Sequence, residues 1–189
     1  MRPISPIECD TNLRLLPATT MHHPVIIEAI NESGDEIFQA MPWLELNEPI
    51  PSQVEEYLVD VERYGAGGIS YHWAVMYSGE FAGLIALDYT PHLIIGHWNL
   101  GYWIRPSCQR KGLAGKSIDA VLNWVGRGGL TSVEIGVDPA NKAGLQTAKS
   151  AVRRWQGHRL NEQIEVEVAG KLILHHCWLI PRLPLEGSQ

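Results

Sequence analysis

The stretch Gln109-Arg110-Lys111-Gly112-Leu113-Ala114 decides the fold of this chain. Apolar patterning predicts a strand over Trp98 to Ile104 before it and a helix from it to about Val125. The first turn of a helix has backbone N–H groups without intrahelical partners, and the helix dipole adds positive potential there. We therefore expect an anion cradle at this turn, in which Gly112 lets the backbone approach a phosphate closely.

Four basic side chains surround the cradle, and the sequence from position 105 to position 116 contains no acidic residue. The four are Arg105, Arg110, Lys111 and Lys116. Clustered positive charge raises the local concentration of a polyanion. A pyrophosphate is therefore the group that we expect the cradle to bind.

Two neighbouring patterns give this region a family resemblance. Gly101-Tyr102-Trp103-Ile104-Arg105-Pro106, followed by Gln109-x-x-Gly112-x-Ala114, resembles the acetyl-CoA-binding core of the GNAT N-acetyltransferases. The Rim-type branch is most similar; it acetylates protein N-termini and, in relatives, small amines. The resemblance covers roughly positions 11 to 155 and includes Met41-Pro42-Trp43-Leu44, which is similar to a Pro-Trp signature near the acceptor site of that branch.

The resemblance implies a fold and a reaction. The expected fold is α/β (α+β), the GNAT acyl-CoA N-acyltransferase fold, with a mixed, mostly antiparallel sheet flanked by helices. The expected reaction transfers an acetyl group from the cosubstrate acetyl-CoA to a primary amine by direct attack in a ternary complex. The amine is a protein N-terminus in the first place and a small cationic amine in the second.

Composition limits the class of protein. The chain has 189 residues, which predicts one domain over residues 1–189. It lacks an apolar run of the roughly 18 residues that a bilayer span needs and shows no secretory signal, so we expect a cytoplasmic protein without membrane partners. The net charge of −6 argues against a nucleic-acid partner, and three widely spaced cysteines fit neither disulfides nor a metal site. A homodimer is left open.

Acidic residues concentrate in one part of the chain. Between Glu28 and Glu62 there are ten Asp or Glu residues and no Lys or Arg. Most are expected to lie on solvated helix faces. Some could instead line an acceptor cleft and attract a cationic amine, so we predict that Trp43 and Glu45 contact the acceptor.

The remaining elements follow from periodicity and turn residues. Strands are predicted at Leu13 to Leu16, Trp73 to Tyr77, Phe81 to Leu87, Val133 to Val137, Ile164 to Val168 and Leu172 to Trp178, with Gly83 marking a bulge or close approach. Helices are predicted at Pro24 to Ile30, Asp35 to Met41, from Pro51 onward, and from Asn141 to about Arg154. Strand, helix, strand, helix after Trp98 predicts a βαβ-type core.

Acetyl transfer needs a polarised carbonyl and a positioned cosubstrate. The backbone N–H of Ile104 is our candidate for the polarising group. The resemblance implies that backbone groups at Trp103 to Arg105 and Val137 pair with the pantetheine amides, and that Asn141 contacts the pantetheine arm, although an N-cap role is an alternative. The predicted cosubstrate-binding residues are Trp103, Ile104, Arg105, Gln109, Arg110, Lys111, Gly112, Leu113, Ala114, Lys116, Val137 and Asn141.

The reaction also needs groups that move protons. Asp88, His92 and His97 precede Gly101 and are candidates for the general base. His92 comes first because an ordinary histidine titrates near neutrality and because Rim-type enzymes carry a carboxylate base in a similar place. The competing interpretations are a surface histidine and, for Asp88, a turn cap.

The chain departs from the family pattern at Gly144. The Rim-type branch usually has Ser three residues after the Asn, where the hydroxyl can protonate the departing sulfur. The proton donor is therefore left open between Thr147, Tyr102 and water. A CoA-binding or acyl-CoA-binding module with impaired catalysis is the alternative function.

Overall fold

The computed structural model describes residues 3–89, 93–127 and 132–181. Its strands are β1 Ile7–Glu8, β2 Leu13–Pro17, β3 Tyr71–Tyr77, β4 Glu80–Asp88, β5 Trp98–Ile104, β6 Val133–Val137, β7 His158–Val168 and β8 Lys171–Ile180. Its helices are α1 His23–Ser33, α2 Ile37–Ala40, α3 Ile50–Gly67, α4 Leu113–Arg127 and α5 Lys142–Arg154. Short 3₁₀ turns lie at Thr20–His22, Gly34–Glu36 and Pro106–Cys108.

The described strands form one sheet in the order β1-β2-β3-β4-β5-β6-β8-β7. Neighbouring strands are antiparallel except β5 and β6, which are parallel and joined through α4. This parallel pair is short: Trp98 pairs with Val133 and Asn99 with Glu134. Beyond Asn99 the two strands separate, which opens a gap between them. The mixed, mostly antiparallel sheet confirms the predicted fold class.

Helices cover both faces of the sheet. Ile118, Val121 and Leu122 of α4 are fully buried in one apolar cluster. Ile26 of α1 and Leu58 of α3 are fully buried in a second cluster. Strand residues alternate between the two clusters, because successive side chains of a strand point to opposite faces. Thus Ile85 and Ile104 belong to the α4 side, whereas Leu84 and Trp103 belong to the side of α1 and α3.

A bulge in β4 brings two strands unusually close. Val75 pairs with Gly83 and Met76 with Phe81, so Ala82 is the extra residue. A Cβ added at Gly83 would lie 2.0 Å from the carbonyl oxygen of Trp103. The predicted close approach at Gly83 is therefore confirmed, and only glycine fits there.

The predicted elements agree with the structure except at three places. β1 was not predicted, because a two-residue strand has no periodicity to detect. The segment predicted as a helix from Asp35 to Met41 is a 3₁₀ turn followed by the four residues of α2. β7 starts at His158 instead of Ile164, since its first residues are mostly exposed and polar and its pairing with β8 shifts register between Arg159 and Gln163.

Candidate active site

A cavity of about 310 Å³ lies where β5 and β6 separate. Several parts of the chain line it. Trp43, which lies between α2 and α3, and Tyr57 of α3 line the predicted acceptor side. Tyr102 and Trp103 come from β5. Val137, Asn141 and Gly144 line the predicted cosubstrate side. The hairpin of β7 and β8 adds Ile164, Val166 and His175. One cavity therefore joins the predicted acceptor side to the predicted cosubstrate side.

The backbone N–H of Ile104 points toward the gap. The N–H of Arg105 donates to the carbonyl of Ala82 at 2.9 Å, and the Trp103 carbonyl faces Gly83 on β4. In a trans peptide the C=O and the following N–H point in opposite directions, so the Ile104 N–H is directed away from β4. On that side β6 has already diverged. The amide that the sequence predicted to polarise a carbonyl therefore faces the side of β5 from which β6 has diverged.

Gln109 fixes the end of β5. Its Nε2 donates to the carbonyl oxygen of Ile104 at 3.0 Å. This oxygen is the other backbone group of Ile104, and it also lies on the side away from β4. The Gln109 side chain therefore supplies a hydrogen-bond donor to the last residue of β5, just before the cradle begins.

The cradle has an irregular backbone that leads into α4. Arg110 has φ of +60° and Gly112 has φ of +74°. The N–H of Lys116 donates to the Gly112 carbonyl at 3.1 Å, which is the first turn of helical bonding, so the amides before Lys116 keep the open donors of a helix N-terminus. A Cβ added at Gly112 would meet no atom within 4 Å, which leaves space that a phosphate can occupy.

Two of the four basic side chains near the cradle have acidic partners. Arg105 binds Glu28 at 2.7 Å and Glu32 at 2.6 Å, and Lys116 binds Asp10 at 2.6 Å. These acids lie far away in sequence, so the local stretch from 105 to 116 could not show them. Arg110 and Lys111 are exposed at the turn, with the Lys111 Nζ 5.4 Å from the ring centroid of Tyr77. The positive field at the cradle is therefore weaker than the sequence alone implied.

Asn141 caps α5 and also lines the cavity. Its Oδ1 accepts a hydrogen bond from the Gly144 N–H at 2.7 Å. A Cβ at Gly144 would lie 2.8 Å from Nδ2 and 2.9 Å from Cγ of Asn141. A serine at position 144 would therefore require the Asn141 side chain to move. The hydroxyl of Tyr102 donates to the Gly144 carbonyl at 3.0 Å, and burial raises the pKa of Tyr102 so that it stays protonated.

Asp88 is the candidate base that the structure places in the cavity. It ends β4, is half-buried, and its Oδ1 accepts a hydrogen bond from Asn99 at 3.1 Å. Burial raises the pKa of Asp88, against the opposing effect of the Asn99 hydrogen bond. His92 lies outside the described residues. His97 binds Ser132 through its backbone and ring, with 2.8 Å between Nδ1 and Oγ.

A buried carboxylate holds the end of the loop before β5. Glu134 on β6 accepts hydrogen bonds from the N–H groups of Ile94 at 3.0 Å, Ile95 at 2.7 Å and Gly96 at 2.5 Å. Three donors offset the cost of burying its charge. The loop that follows Asp88 is therefore fastened to β6 just before β5 begins.

The acceptor side contains two residues that the sequence analysis missed. Trp43 lines the cavity as predicted and stacks on Tyr57, with ring centroids 4.4 Å apart. The Tyr57 hydroxyl lies 2.9 Å from Nδ1 of His72. Burial lowers the pKa of His72 to about 4, so the imidazole is neutral at pH 7. A tyrosine on a helix and a histidine on a strand carry no shared sequence signal, and only the fold brings them together.

Glu45 does not reach the cavity wall. It is exposed, and its N–H donates to Oε1 of Gln53 at 2.7 Å. Glu45 could therefore influence the acceptor only through its charge, from outside the cavity. That effect stays a prediction.

Among residues 3–89, 93–127 and 132–181, no group of three or more His, Cys, Asp or Glu side chains is arranged to hold a metal ion. None of the helices in the same ranges has the length and apolar character needed to cross a membrane.

Comparisons with known proteins bear on the family. The family described as acetyltransferase (GNAT) domain matches residues 12–151. No curated protein matches the sequence. Among solved structures, an acetyltransferase from Salmonella typhimurium that modifies the N-terminal serine of 50S ribosomal subunit protein L7/L12 is similar with a TM-score of 0.78 at 15% identity, covering 93% of this chain and 98% of that one.

Two other similar structures contain ligands. RimL, the ribosomal L7/L12 alpha-N-protein acetyltransferase in complex with coenzyme A, has a TM-score of 0.78 at 16% identity, covering 95% of this chain and 98% of its own. The microcin C7 self-immunity acetyltransferase MccE, in complex with acetyl-CoA and AMP, has a TM-score of 0.75 at 14% identity, with coverage of 90% and 93%. At these identities the likeness shows the shared fold.

Proposed function

This chain belongs to the GNAT acetyltransferase family, and we propose that it transfers the acetyl group of acetyl-CoA to a primary amine. Our first choice of acceptor is a protein N-terminus, which is supported by the similar structures that act on ribosomal protein L7/L12. A small cationic amine is the second choice. We further propose that the enzyme is a single domain and that it works in the cytoplasm.

The Ile104 N–H carries this proposal. It faces the gap between β5 and β6, beside the cavity that Asp88 and Tyr102 also line. A thioester carbonyl placed in the gap would receive this donor as negative charge develops on its oxygen. A backbone donor is fixed before the substrate arrives, so it needs no reorganisation during the reaction.

The cradle and the diverging strands would hold the cosubstrate. The open amides around Gly112 and at the start of α4 fit the pyrophosphate, with Arg110 and Lys111 as the available cations. Trp103, Val137 and Asn141 line the cavity where the pantetheine arm would reach the thioester. Arg105 and Lys116 contribute through their backbone and through the contacts that shape the cradle, because carboxylates occupy their side chains.

Asp88 is the proposed base among the described residues. A carboxylate with a raised pKa takes a proton from nitrogen more readily than an ordinary aspartate does. His92 remains the alternative from the sequence. Tyr102 is the proposed proton donor to the sulfur: it lines the cavity, and its hydrogen would turn from the Gly144 carbonyl to the departing sulfur.

The experiment measures CoA release and product mass. The purified chain is mixed with acetyl-CoA and with peptides that begin with serine or alanine, and separately with a panel of small cationic amines. Saturable release of CoA together with a mass increase of one acetyl group on the amine would support the proposal. Saturable CoA binding without turnover of any amine would favour the impaired binding module.

A further inference from the structure

The hydroxyl of Tyr57 lies in the cavity wall and has a defined hydrogen-bond direction. Among the described residues, Nδ1 of His72 is its hydrogen-bond partner, at 2.9 Å. His72 is neutral at pH 7 because burial lowers its pKa. The direction of this bond depends on which ring nitrogen of His72 carries the hydrogen. With that hydrogen on Nε2, Nδ1 is the acceptor and Tyr57 the donor, and this is the arrangement that we assign to the pair.

This direction determines what Tyr57 offers to a ligand. A hydroxyl has one hydrogen and two lone pairs. Since His72 takes the hydrogen, the oxygen can only accept further hydrogen bonds. The Tyr57 hydroxyl is therefore a fixed acceptor in the cavity wall.

Asp88 is a second acceptor in the same cavity. Asn99 occupies its Oδ1, which leaves Oδ2 for a ligand. Both acceptors line the same cavity of about 310 Å³, Tyr57 from α3 and Asp88 from the end of β4. The cavity thus presents two oxygen acceptors on its acceptor side.

We propose that Tyr57, oriented by His72, selects primary amines over secondary amines, which rests on the proposed function. A neutral primary amine has two N–H groups and one lone pair. Asp88 holds one N–H and Tyr57 holds the other, so the lone pair is directed at the thioester carbonyl. A secondary amine has one N–H and loses one of these two bonds.

The step balances in atoms and protons. The nitrogen lone pair forms the C–N bond, and the C–S bond breaks with its electrons going to sulfur. The N–H that Asp88 holds passes to its carboxylate, and Tyr102 gives its hydroxyl proton to the sulfur, which leaves as a thiol. The proton on Asp88 then returns to Tyr102 through solvent, so the enzyme ends as it began. Tyr57 keeps its own proton throughout, since its hydrogen stays with His72.

The test compares a peptide beginning with alanine with the same peptide carrying an N-methylated alanine. In Tyr57→Phe we expect kcat/KM for the primary amine to fall about tenfold and kcat/KM for the N-methyl peptide to change little, as loss of one hydrogen bond predicts. The preference for the primary amine therefore falls about tenfold. Tyr64→Phe is the matched control, because Tyr64 lies on the same helix and its exposed hydroxyl binds Arg63.

Variants at His72 test the direction of the hydrogen bond. His72→Leu should lower the preference as Tyr57→Phe does, whereas His72→Asn, which keeps an oxygen acceptor near the Nδ1 position, should restore it. An unchanged acetyl-CoA thermal shift in each variant shows that it is folded. A Tyr57→Phe enzyme with the wild-type preference overturns the inference.

A binding measurement separates this inference from the proposed function. If the wild-type chain acetylates neither peptide, the proposed function fails for this class of acceptor. Binding of the two peptides to the CoA complex is then measured by calorimetry. Selective loss of affinity for the primary amine in Tyr57→Phe supports the inference, and equal affinities for both peptides in the wild-type chain overturn it.

Discussion

Arg105 and Glu32 bind each other between the end of β5 and α1. The guanidinium Nε donates to Oε2 of Glu32 at 2.6 Å, and the other carboxylate oxygen accepts the Ser107 N–H at 2.5 Å. The Arg105 side chain is only 14% exposed. This contact fastens α1 to the turn that leads into the cradle. Although burial raises the pKa of Glu32, the hydrogen bonds from Ser107 and Arg105 outweigh it and hold the pKa below its usual range.

The first prediction concerns stability and pH. At pH 7, Glu32→Gln should lower the free energy of unfolding by about 1–2 kcal/mol, because a partly buried guanidinium loses a charged partner. A lowered carboxylate pKa stabilises the fold above the unfolded pKa of about 4.3, and this contribution is lost as pH falls through the folded pKa. Urea unfolding at pH 7 and pH 3 should therefore show a smaller difference between the two proteins at pH 3.

The control for this prediction is Glu8→Gln. Glu8 binds Arg14 at 2.8 Å, but their side chains are 64% and 55% exposed. We expect a change below about 0.5 kcal/mol at either pH. Equal losses in Glu8→Gln and Glu32→Gln would contradict a special role for the Arg105 contact.

The second prediction tests the cradle. Gly112→Ala should weaken CoA binding by about tenfold or more, because the added methyl group enters the space proposed for phosphate. Gly170→Ala is the matched control: Gly170 has φ of +75°, against +74° at Gly112, and a Cβ there also meets no atom within 4 Å. In both variants the positive φ should lower the stability of the fold by about 1 kcal/mol, because alanine is strained in this conformation. Thermal shifts with CoA separate the two effects, and similar shifts in both variants would argue against phosphate binding at Gly112.

The third prediction tests the base. Asp88→Asn should reduce turnover by about 10²-fold or more and leave acetyl-CoA affinity unchanged. A base must be deprotonated to act, so wild-type turnover should fall as pH falls through the folded pKa of Asp88. Burial raises that pKa, so the fall should lie above the range of an ordinary aspartate. The pH profile of kcat checks this.

His92→Ala is the companion measurement. If His92 is the base, kcat of the wild-type enzyme falls as pH drops below about 6–7, the ordinary histidine pKa. His92→Ala then loses this acidic limb of the pH profile, and Asp88→Asn keeps it. If Asp88 is the base, the limb survives in His92→Ala. Survival of the limb and of full turnover in both variants would point to water and to catalysis chiefly by positioning.

The fourth prediction concerns attraction of a cationic acceptor. Replacing both Glu45 and Glu48 with Gln should raise KM for a cationic amine at low salt and leave KM for acetyl-CoA unchanged. The effect should fade at high salt, since exposed charges are screened. Glu165→Gln with Glu167→Gln removes the same charge from exposed positions of β7 and serves as the control. If both double variants have the same KM for the cationic amine at low and high salt, Glu45 and Glu48 have no special role in attracting the acceptor.

The fifth prediction concerns Gly144. Gly144→Ser restores the hydroxyl of the Rim-type pattern, but its Cβ would press on Asn141 at 2.8 Å. We expect a loss of about 1–3 kcal/mol in stability and no gain in turnover. Adding Asn141→Ala should recover part of the stability despite the lost helix cap. A faster and fully stable Gly144→Ser enzyme would show that the site accepts the serine without strain.

Much of the cofactor side could be predicted from local sequence. The glycine at position 112, the strand ending at Ile104 and the cap at Asn141 are each decided by neighbouring residues. Propensity, turn chemistry and capping act over a few residues, so a single sequence shows them. Trp43 was predicted instead from the resemblance of Met41-Pro42-Trp43-Leu44 to a family signature and from its acidic surroundings, and it does line the cavity.

The acceptor side could not be predicted in the same way. Tyr57 meets His72 through the packing of α3 on β3, and Glu32 meets Arg105 across 73 positions of sequence. No periodicity or spacing encodes such pairs. The sequence therefore overestimated the free positive charge at the cradle and missed the Tyr57 hydroxyl in the cavity wall.

The hairpin of β7 and β8 makes this enzyme open to redesign. Ile164, Val166 and His175 form part of the cavity wall, yet they lie on a unit joined by the short turn at Ala169 and Gly170, apart from the cradle. A library of substitutions at these three positions could change which amine fits without altering the turn that we propose to hold the nucleotide. The cavity-wall residues of the hairpin and the residues of the cradle lie in different parts of the sequence, so one set can be varied while the other is kept.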